Sequence, residues 1–341
     1  MKFQNKKMFG VLAGTMVLAL AATGCGPKSG NGGDAAGGGS DSNMTVTFLP
    51  KNLGNPYFDT SDKGGAKAVK EFGGTYSQVG PQDASPEGQA QYIDTAAQQH
   101  TSAIVMSAND PKALCDSVKS AQDAGTKVVT FDSDTGPGCR DLFVNQATAE
   151  GIATVEVDMI AEQIGDAGEI AILSSTPNAT NQNAWIAIMK KDLAANYPKL
   201  KLVDTVYGND DSATSAEKAA ALMQSHPNLK GIIAPTTVGV REAAKYISGS
   251  KYKGKVQVAG LGLPSEMRAY IKDGTVKTVG LWDPAMLGYV GVYAAASKAS
   301  GMDVSTSVTA GDKSYTVDDK GVLVIGPPAE FTKDTVDNFT F

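Results

Sequence analysis

The stretch TVTFLPKNLGNPYFD, at positions 45–59, combines a strand, a turn and the start of a helix. Residues 45–49 are rich in β-branched and aromatic side chains, which predicts a buried strand. Pro56 then begins a helical pattern that extends to about residue 72. The turn between them carries polar and aromatic side chains that a turn does not need. We predict that these side chains line a ligand crevice: Lys51, Asn52, Asn55 and Phe58, with Tyr57 as a weaker candidate.

The same alternation of strand and helix continues along the chain up to residue 131. Strand patterns occur at 75–79, 102–107 and 127–131, and helical patterns at about 86–99 and 111–124. Prolines lie at or near the first helical turns, where the missing N–H has no cost. Strands and helices at this spacing are typical of βαβ units, which form a parallel sheet.

A second series of strand patterns separated by helical stretches follows the first. These strands are predicted at 141–145, 169–173, 200–207, 230–235, 255–261 and 276–282. A chain of 341 residues is long enough for two domains. The fold class is therefore predicted as α/β, with two doubly wound parallel-sheet lobes joined by a three-segment hinge.

The positions of the two lobes along the chain follow from these two series. We expect the first lobe to contain residues 44–133 and 283–310, and the second to contain 134–282 and 311–341. The crossing segments are expected near residues 132–135, 279–284 and 308–320. Lobes joined in this way are expected to close around a ligand that contacts both of them.

The N-terminal 43 residues have the composition of a targeting segment and a tether. Residues 1–24 combine three early lysines with an apolar stretch, which predicts a signal peptide. It ends in ATGC, which resembles a bacterial lipobox, and the resemblance implies that Cys25 is lipidated. An ordinary secretory signal with an incidental cysteine is the alternative. Residues 25–43 are rich in Gly and Ser, which predicts a flexible tether and a globular part anchored outside the cytoplasm.

Composition excludes several classes of function. The chain has 30 basic and 36 acidic residues, a net charge of −6, and no basic patch, which argues against nucleic-acid binding. Two cysteines remain after Cys25, and in an oxidising compartment the pair Cys115 and Cys139 predicts a disulfide. The two histidines are scattered and lack the spacing of metal ligands, so we expect neither a metal nor a cofactor.

Polar side chains are concentrated directly after the predicted strands. The ligand crevice of an open α/β sheet lies at the carboxyl ends of its strands. Amides and carboxylates suit the hydroxyls of a sugar, and aromatic rings suit its apolar faces. Besides those in the first turn, the candidate ligand-binding residues are Asp110, Asp132, Asp134, Asn181, Gln182, Trp185, Pro235, Thr236, Thr237, Trp282 and Asp283.

Several of these stretches in combination resemble one family, the type I periplasmic sugar-binding proteins of ABC importers. The motifs are PKNLGNPYFDTSDKGG, AQYIDTAAQQ, SANDP, VVTFDSDTGPGCRDLFVNQATAEGI and NATNQNAW. They are most similar to rhamnose-binding lipoproteins, and the resemblance extends from about residue 45 to the C-terminal NFTF. It implies a monosaccharide ligand, rhamnose above others, an ABC permease as the membrane partner, and a monomer.

The autoinducer-2-binding proteins are a second group that the chain resembles. By motif the chain keeps the lysine, aspartate, glutamine and proline of their pocket as Lys51, Asp132, Gln182 and Pro235. It differs at Asn181, where that group has aspartate, and at Thr237, where it has alanine. Loss of a carboxylate and gain of a hydroxyl favour a neutral deoxyhexose over a small furanosyl diol.

Other functions and purely structural roles are alternatives. Asp132 and Asp134 together suggest a glycosidase, but residues two apart on an extended segment point to opposite sides, and other catalytic motifs are absent. A repressor of the same fold is disfavoured by the signal segment, and a sensor role stays open. The aspartates also suit turn capping, Asn181 and Gln182 suit a helix N-terminus, and the aromatic residues suit a core. Arg140 is expected to orient Asp132 or Asp134.

Overall fold

The computed structural model describes residues 44–341. The predicted signal peptide at 1–24, the tether at 25–43 and the lipidated Cys25 lie outside the described residues. Within residues 44–341, no helix is long and apolar enough to cross a membrane.

The elements alternate along the chain much as the sequence patterns predict. The strands are β1 Thr45–Leu49, β2 Thr75–Gln78, β3 Ala103–Met106, β4 Lys127–Phe131, β5 Leu142–Asn145, β6 Gly168–Ser174, β7 Leu200–Tyr207, β8 Leu229–Ala234, β9 Gln257–Gly260, β10 Thr278–Leu281, β11 Ser307–Ala310, β12 Lys313–Thr316, β13 Val322–Val324 and β14 Ala329–Thr332. The helices are α1 Pro56–Phe72, α2 Pro86–Gln98, α3 Cys115–Asp123, α4 Ala149–Ile164, α5 Thr180–Asn196, α6 Ser212–Ser225, α7 Thr237–Ser248, α8 Pro264–Lys272 and α9 Pro284–Ala299.

The first lobe is built on a parallel sheet with the strand order β13-β5-β4-β3-β1-β2. All four residues of β3, at the middle of this sheet, are buried, as expected where helices cover both faces. Helix α9 packs against α1 and against β3, β4 and β5, and so belongs to this lobe. The hairpin of β11 and β12 adds to it through contacts of β11 with α9.

The second lobe contains the parallel sheet β7-β6-β8-β9. A single bridge between Leu261 and Gly280 continues it to β10, which pairs antiparallel with β14. The described part of the chain therefore has two α/β lobes with parallel sheets, and the predicted fold class is confirmed.

Two of the expected lobe boundaries are wrong. Residues 134–145 were expected in the second lobe, but β5 pairs with β4 in the first sheet. Likewise β13 pairs with β5, so residues 322–324 also belong to the first lobe. The chain therefore crosses between the lobes from β5 to α4, from β10 to α9 and from β13 to β14. Only the crossing near 279–284 lies where the sequence predicted it.

Local chemistry fixes the turn from β1 into α1 at the edge of the first sheet. Asn55 is the N-cap of α1, and its side-chain oxygen accepts a hydrogen bond of 3.1 Å from the backbone N–H of Tyr57. Pro56 occupies the first helical position, where it has no N–H to satisfy. Together they determine where the side chains after β1 point.

A disulfide joins Cys115, at the start of α3, to Cys139 in the segment after β4, with their Cα atoms 5.1 Å apart. The bridge ties the loop that follows β4 to the helix before it. Closing a loop of 24 residues stabilises the folded state by about 3 kcal/mol in the chain-entropy model.

Candidate functional site

The site is a cavity between the two lobes, at the carboxyl ends of their parallel strands. It contains about 350 Å³ of space not filled by protein atoms, part of it open to solvent. Its walls come from the segments after β1, β4, β7, β8 and β9, from the end of β10 and from α5. The lining residues are Lys51, Asn55, Tyr57, Phe58, Asp132, Gln182, Trp185, Asp210, Pro235, Thr236, Thr237, Leu261, Leu281 and Trp282.

Lys51 lies at the centre of the polar contacts between the lobes. Its side chain is only 3 % exposed, and its Nζ donates a hydrogen bond of 3.0 Å to Oδ1 of Asn181 on the opposite lobe. The same Nζ is 4.0 Å from Oδ2 of Asp132. A buried ammonium is tolerated only when it is paired, and these partners supply the pairing from both sides of the cleft.

Asp132 is a buried carboxylate held by several donors from the first lobe. Tyr57 Oη donates to its Oδ1 at 3.0 Å, and Ser107 Oγ donates to its Oδ2 at 2.7 Å. Burial raises the pKa of Asp132 above its usual value, while Lys51, Ser107 and Tyr57 oppose the rise. Its backbone is in the left-handed region, with φ of 60°, a conformation that is uncommon for non-glycine residues but that aspartate adopts more readily than most.

Aromatic rings form one wall of the cavity. Trp282 Nε1 donates to Tyr57 Oη at 2.9 Å, and the two rings are perpendicular with centroids 6.2 Å apart. Trp185 packs edge-on against Trp282 with centroids 6.2 Å apart, and Phe58 packs edge-on against Tyr57. The indole N–H of Trp282 is satisfied by Tyr57, whose hydroxyl donates in turn to Asp132, and the flat ring faces are apolar surfaces on which a ligand can pack.

The second lobe contributes hydroxyls, an amide and a carboxylate. Gln182, in the first turn of α5, accepts from Ser175 Oγ at 3.0 Å through Oε1. Thr236 Oγ1 donates to Oδ1 of Asp210. Burial raises the pKa of Asp210, with Lys51 and Thr236 opposing the rise. Thr236 is the N-cap of α7 and Thr237 its first residue, and neither side chain caps the helix amides.

The ionisable groups of the lining favour a neutral guest. The described lining contains one lysine and two aspartates, so its net charge is −1 when all three side chains carry their charges. An anionic ligand is therefore repelled in a space where water screens charge poorly. Within residues 44–341 there is no group of three or more His, Cys, Asp or Glu side chains placed to bind a metal ion.

The structure brings most of the predicted site residues together. Those that line the cavity are Lys51, Asn55, Phe58, Asp132, Gln182, Trp185, Pro235, Thr236, Thr237 and Trp282. Asn181 lies beside them through its bond to Lys51. Asn52 lines a second, wider opening between the lobes, together with residues around Asp83 and Asp211.

Three predicted aspartates are placed outside the cavity, and each has a structural role. Asp110 accepts from the backbone N–H groups of Lys112 and Ala113 at 2.8 Å. Asp134 accepts from Arg140 Nε at 2.7 Å, so Arg140 orients Asp134 and not Asp132. Asp283 caps the exposed start of α9. The glycosidase pairing of Asp132 with Asp134 therefore has only one member in the cavity.

Three residues that line the cavity were not predicted from the sequence, and a fourth has a larger role than predicted. Asp210 was missed, although it directly follows β7 in the segment GNDD, where the rule of strand carboxyl ends would have found it. Leu261 and Leu281 were also missed because apolar residues at strand ends carry no distinct signal. Tyr57 was expected to be the weaker neighbour, but it joins Asp132 to Trp282.

Two α/β lobes around one small polar and aromatic cavity define a two-lobed solute receptor. The family model for the periplasmic binding protein domain matches residues 46–303. The chain therefore belongs to the periplasmic binding protein family. Its members are extracytoplasmic receptors for transport and are not enzymes.

Solved structures show the same architecture over nearly the whole described chain. A sugar ABC transporter structure from Actinomyces odontolyticus is 45 % identical, with 88 % of this chain and 98 % of that chain covered and a TM-score of 0.70. An ABC transporter solute-binding protein from Clostridium phytofermentas, with bound L-rhamnose, is 35 % identical, with 87 % and 98 % covered and a TM-score of 0.83. LsrB from Clostridium saccharobutylicum, in complex with AI-2, is 29 % identical, with 87 % and 100 % covered and a TM-score of 0.82.

Proposed function

We propose that this chain is the solute-binding component of an ABC sugar importer and that L-rhamnose, or a similar neutral monosaccharide, binds in the cavity between the lobes. The observation that carries the proposal is the composition of the cavity wall. Amides, hydroxyls and carboxylates from both lobes face a wall of aromatic rings. A sugar needs both, because its hydroxyls require donors and acceptors and its ring faces pack on aromatic surfaces.

The structural neighbours support the same ligand class. The neighbour with bound L-rhamnose superposes better, at a TM-score of 0.83, than the 45 % identical neighbour does at 0.70. The two lobes of such receptors rotate relative to one another, and this rotation changes a TM-score independently of sequence identity. Direct contacts across the cleft, such as Lys51 with Asn181, are those of a closed arrangement.

Closure of the two lobes around the ligand would create the form of the receptor that a membrane permease recognises. A ligand that contacts both lobes favours the closed form, because only differential affinity shifts such an equilibrium. We propose that the closed, loaded form docks on the permease of the importer as a monomer. A lipid on Cys25 would keep the receptor beside that permease, at the outer face of the membrane.

A furanosyl diol such as autoinducer-2 is the second candidate ligand. The AI-2 complex of LsrB has a TM-score of 0.82 with this structure, which favours it. Position 181 disfavours it, because its side chain is an amide and its oxygen already accepts from Lys51. The cavity thus lacks a second-lobe carboxylate at that position, while Thr237 adds a hydroxyl.

Titration calorimetry of the purified protein tests the ligand assignment. We expect one exothermic site for L-rhamnose, at least about tenfold tighter than for autoinducer-2 or D-ribose, because each unmatched buried polar group costs about 1–3 kcal/mol. Tighter binding of autoinducer-2 would establish the second candidate. Absence of binding by any compound of this panel would contradict the proposed function.

Tryptophan fluorescence gives an independent check that the ligand enters this cavity. The sequence contains two tryptophans, Trp185 and Trp282, and both line the cavity. We therefore expect saturating L-rhamnose to change the emission, since it displaces water from both rings. A sugar that gives no heat of binding is the control. Calorimetric binding with unchanged emission would place the ligand elsewhere.

A further inference from the structure

We propose that Asp210 is a specificity-determining residue that accepts a hydrogen bond from one hydroxyl of the bound sugar. The inference rests on the proposed function and adds to it the carboxylate with which the second lobe recognises the ligand. Asp210 lines the cavity together with Lys51 and Asp132. Among the described lining residues it is the only carboxylate from the second lobe.

The backbone places Asp210 at the cavity by a tight turn after β7. The N–H of Asp211 donates to the carbonyl of Gly208 at 3.0 Å, and the two residues between them, Asn209 and Asp210, both have positive φ. This is the geometry of a type I′ turn, in which glycine is favoured over aspartate at the second central position. The chain thus carries an acidic side chain at a position where backbone preference alone selects glycine.

The carboxylate of Asp210 has acceptor capacity left for a ligand. Its Oδ1 accepts from Oγ1 of Thr236, a residue that is only 5 % exposed. None of the hydrogen bonds among the described residues uses its Oδ2. A carboxylate has about four lone-pair sites, so Asp210, which lines both this cavity and the wider opening beside it, keeps acceptor sites that a ligand hydroxyl can use.

The other second-lobe positions do not supply this group. Asn181, where a carboxylate stands in the autoinducer-2-binding proteins, uses its oxygen on Lys51. Gln182 uses its Oε1 on Ser175. Burial raises the pKa values of Asp132 and Asp210, and the ammonium of Lys51 opposes the rise at both carboxylates. A ligand hydroxyl donating to Asp210 replaces part of its lost hydration.

The substitution Asp210→Asn tests the contact, with Asp211→Asn as the matched control. Asp211 lies one residue further on, is exposed and caps α6, a role that asparagine also fills. By calorimetry we expect D210N to bind L-rhamnose about 10- to 100-fold more weakly, and D211N to stay within about twofold of the wild type. Wild-type affinity in D210N overturns the proposal.

Two further measurements separate a direct contact from a structural effect. The melting temperature without sugar should not fall in D210N, because burial already disfavours the charged form of Asp210. The four singly deoxygenated derivatives of L-rhamnose are then titrated against wild type and D210N. One derivative lacks the hydroxyl that donates to Asp210. We expect this derivative to bind the wild type more weakly than L-rhamnose does, but to bind D210N as well as L-rhamnose does. Equal losses in both proteins for all four would overturn the contact, whereas a wild type that binds no sugar would instead refute the proposed function.

Discussion

Replacing Asp132 by asparagine is expected to weaken L-rhamnose binding by about 100-fold or more. The carboxylate accepts from Tyr57 and Ser107 at its two oxygens, and it lies 4.0 Å from the ammonium of Lys51. An amide turns one of those oxygens into a donor that faces another donor. It also removes a charged acceptor for the sugar, and such hydrogen bonds contribute about 1.5–3 kcal/mol each. Calorimetry measures the loss.

The substitution Asp134→Asn is the matched control for Asp132→Asn. It makes the same chemical change two residues further along, where the carboxylate pairs with Arg140 outside the cavity. We expect its affinity for L-rhamnose to stay within about threefold of the wild type. Equal losses in the two variants, or wild-type affinity in D132N, would show that Asp132 is not a ligand contact.

The pH dependence of binding has a defined sign. Burial raises the pKa of Asp132, so its ionised fraction begins to fall at a higher pH than that of an exposed aspartate. Affinity for a sugar that donates to the carboxylate is therefore expected to decrease as the pH is lowered through the raised pKa. The free energy of unfolding has the opposite pH dependence. The contribution of Asp132 to stability is fully present below its unfolded-state pKa and is lost as the pH rises through the folded-state value.

Replacing Gly288 by alanine is expected to destabilise the protein by about 3 kcal/mol. A Cβ at Gly288, on α9, would overlap the carbonyl oxygen of Ser61, and one at Gly64, on α1, would overlap that of Ala285. The two helices therefore pack backbone against backbone, and a methyl group forces them apart. We expect the melting temperature to fall by at least about 5 °C. Gly64→Ala should have a similar effect.

The control for the glycine substitutions is Gly249→Ala at the end of α7. A Cβ there meets its nearest atom at 3.9 Å, and the backbone φ of −91° suits alanine. Its free energy of unfolding should change by less than about 0.5 kcal/mol. Because α1 carries Tyr57 and α9 follows Trp282, we also expect G288A to weaken sugar binding. Unchanged stability in G288A would contradict the close packing of α1 and α9.

Much of the fold was predictable because local sequence patterns indicate where its strands and helices lie. Alternating strand and helix patterns, with proline at helix starts such as Pro56, were enough to predict two parallel-sheet lobes. The assignment of β5 was wrong because strand pairing is a long-range property. Nothing in residues 142–145 indicates whether their partner is β4 or β6. The short β13 lies far along the chain from its partner and shows the same limit.

Part of the candidate site was predictable because the carboxyl ends of the parallel strands meet at the cavity. Lys51 and Asp132 follow buried strands, and the structure places both in the cavity. Asp110 and Asp283 also follow strands, but their carboxylates satisfy nearby backbone N–H groups instead. Ligand contact and capping use the same residue types at the same kind of position, so sequence alone does not separate them. Only packing decides which way each side chain turns.

A crystal structure of the protein grown with L-rhamnose tests most directly whether the sugar binds between the lobes. We expect one sugar there, with hydroxyls on Lys51, Asp132 and Asp210 and a ring face against Trp185 or Trp282. A sugar bound on the outside of either lobe, or lobes that stay apart with the cavity empty at saturating sugar, would contradict this binding mode.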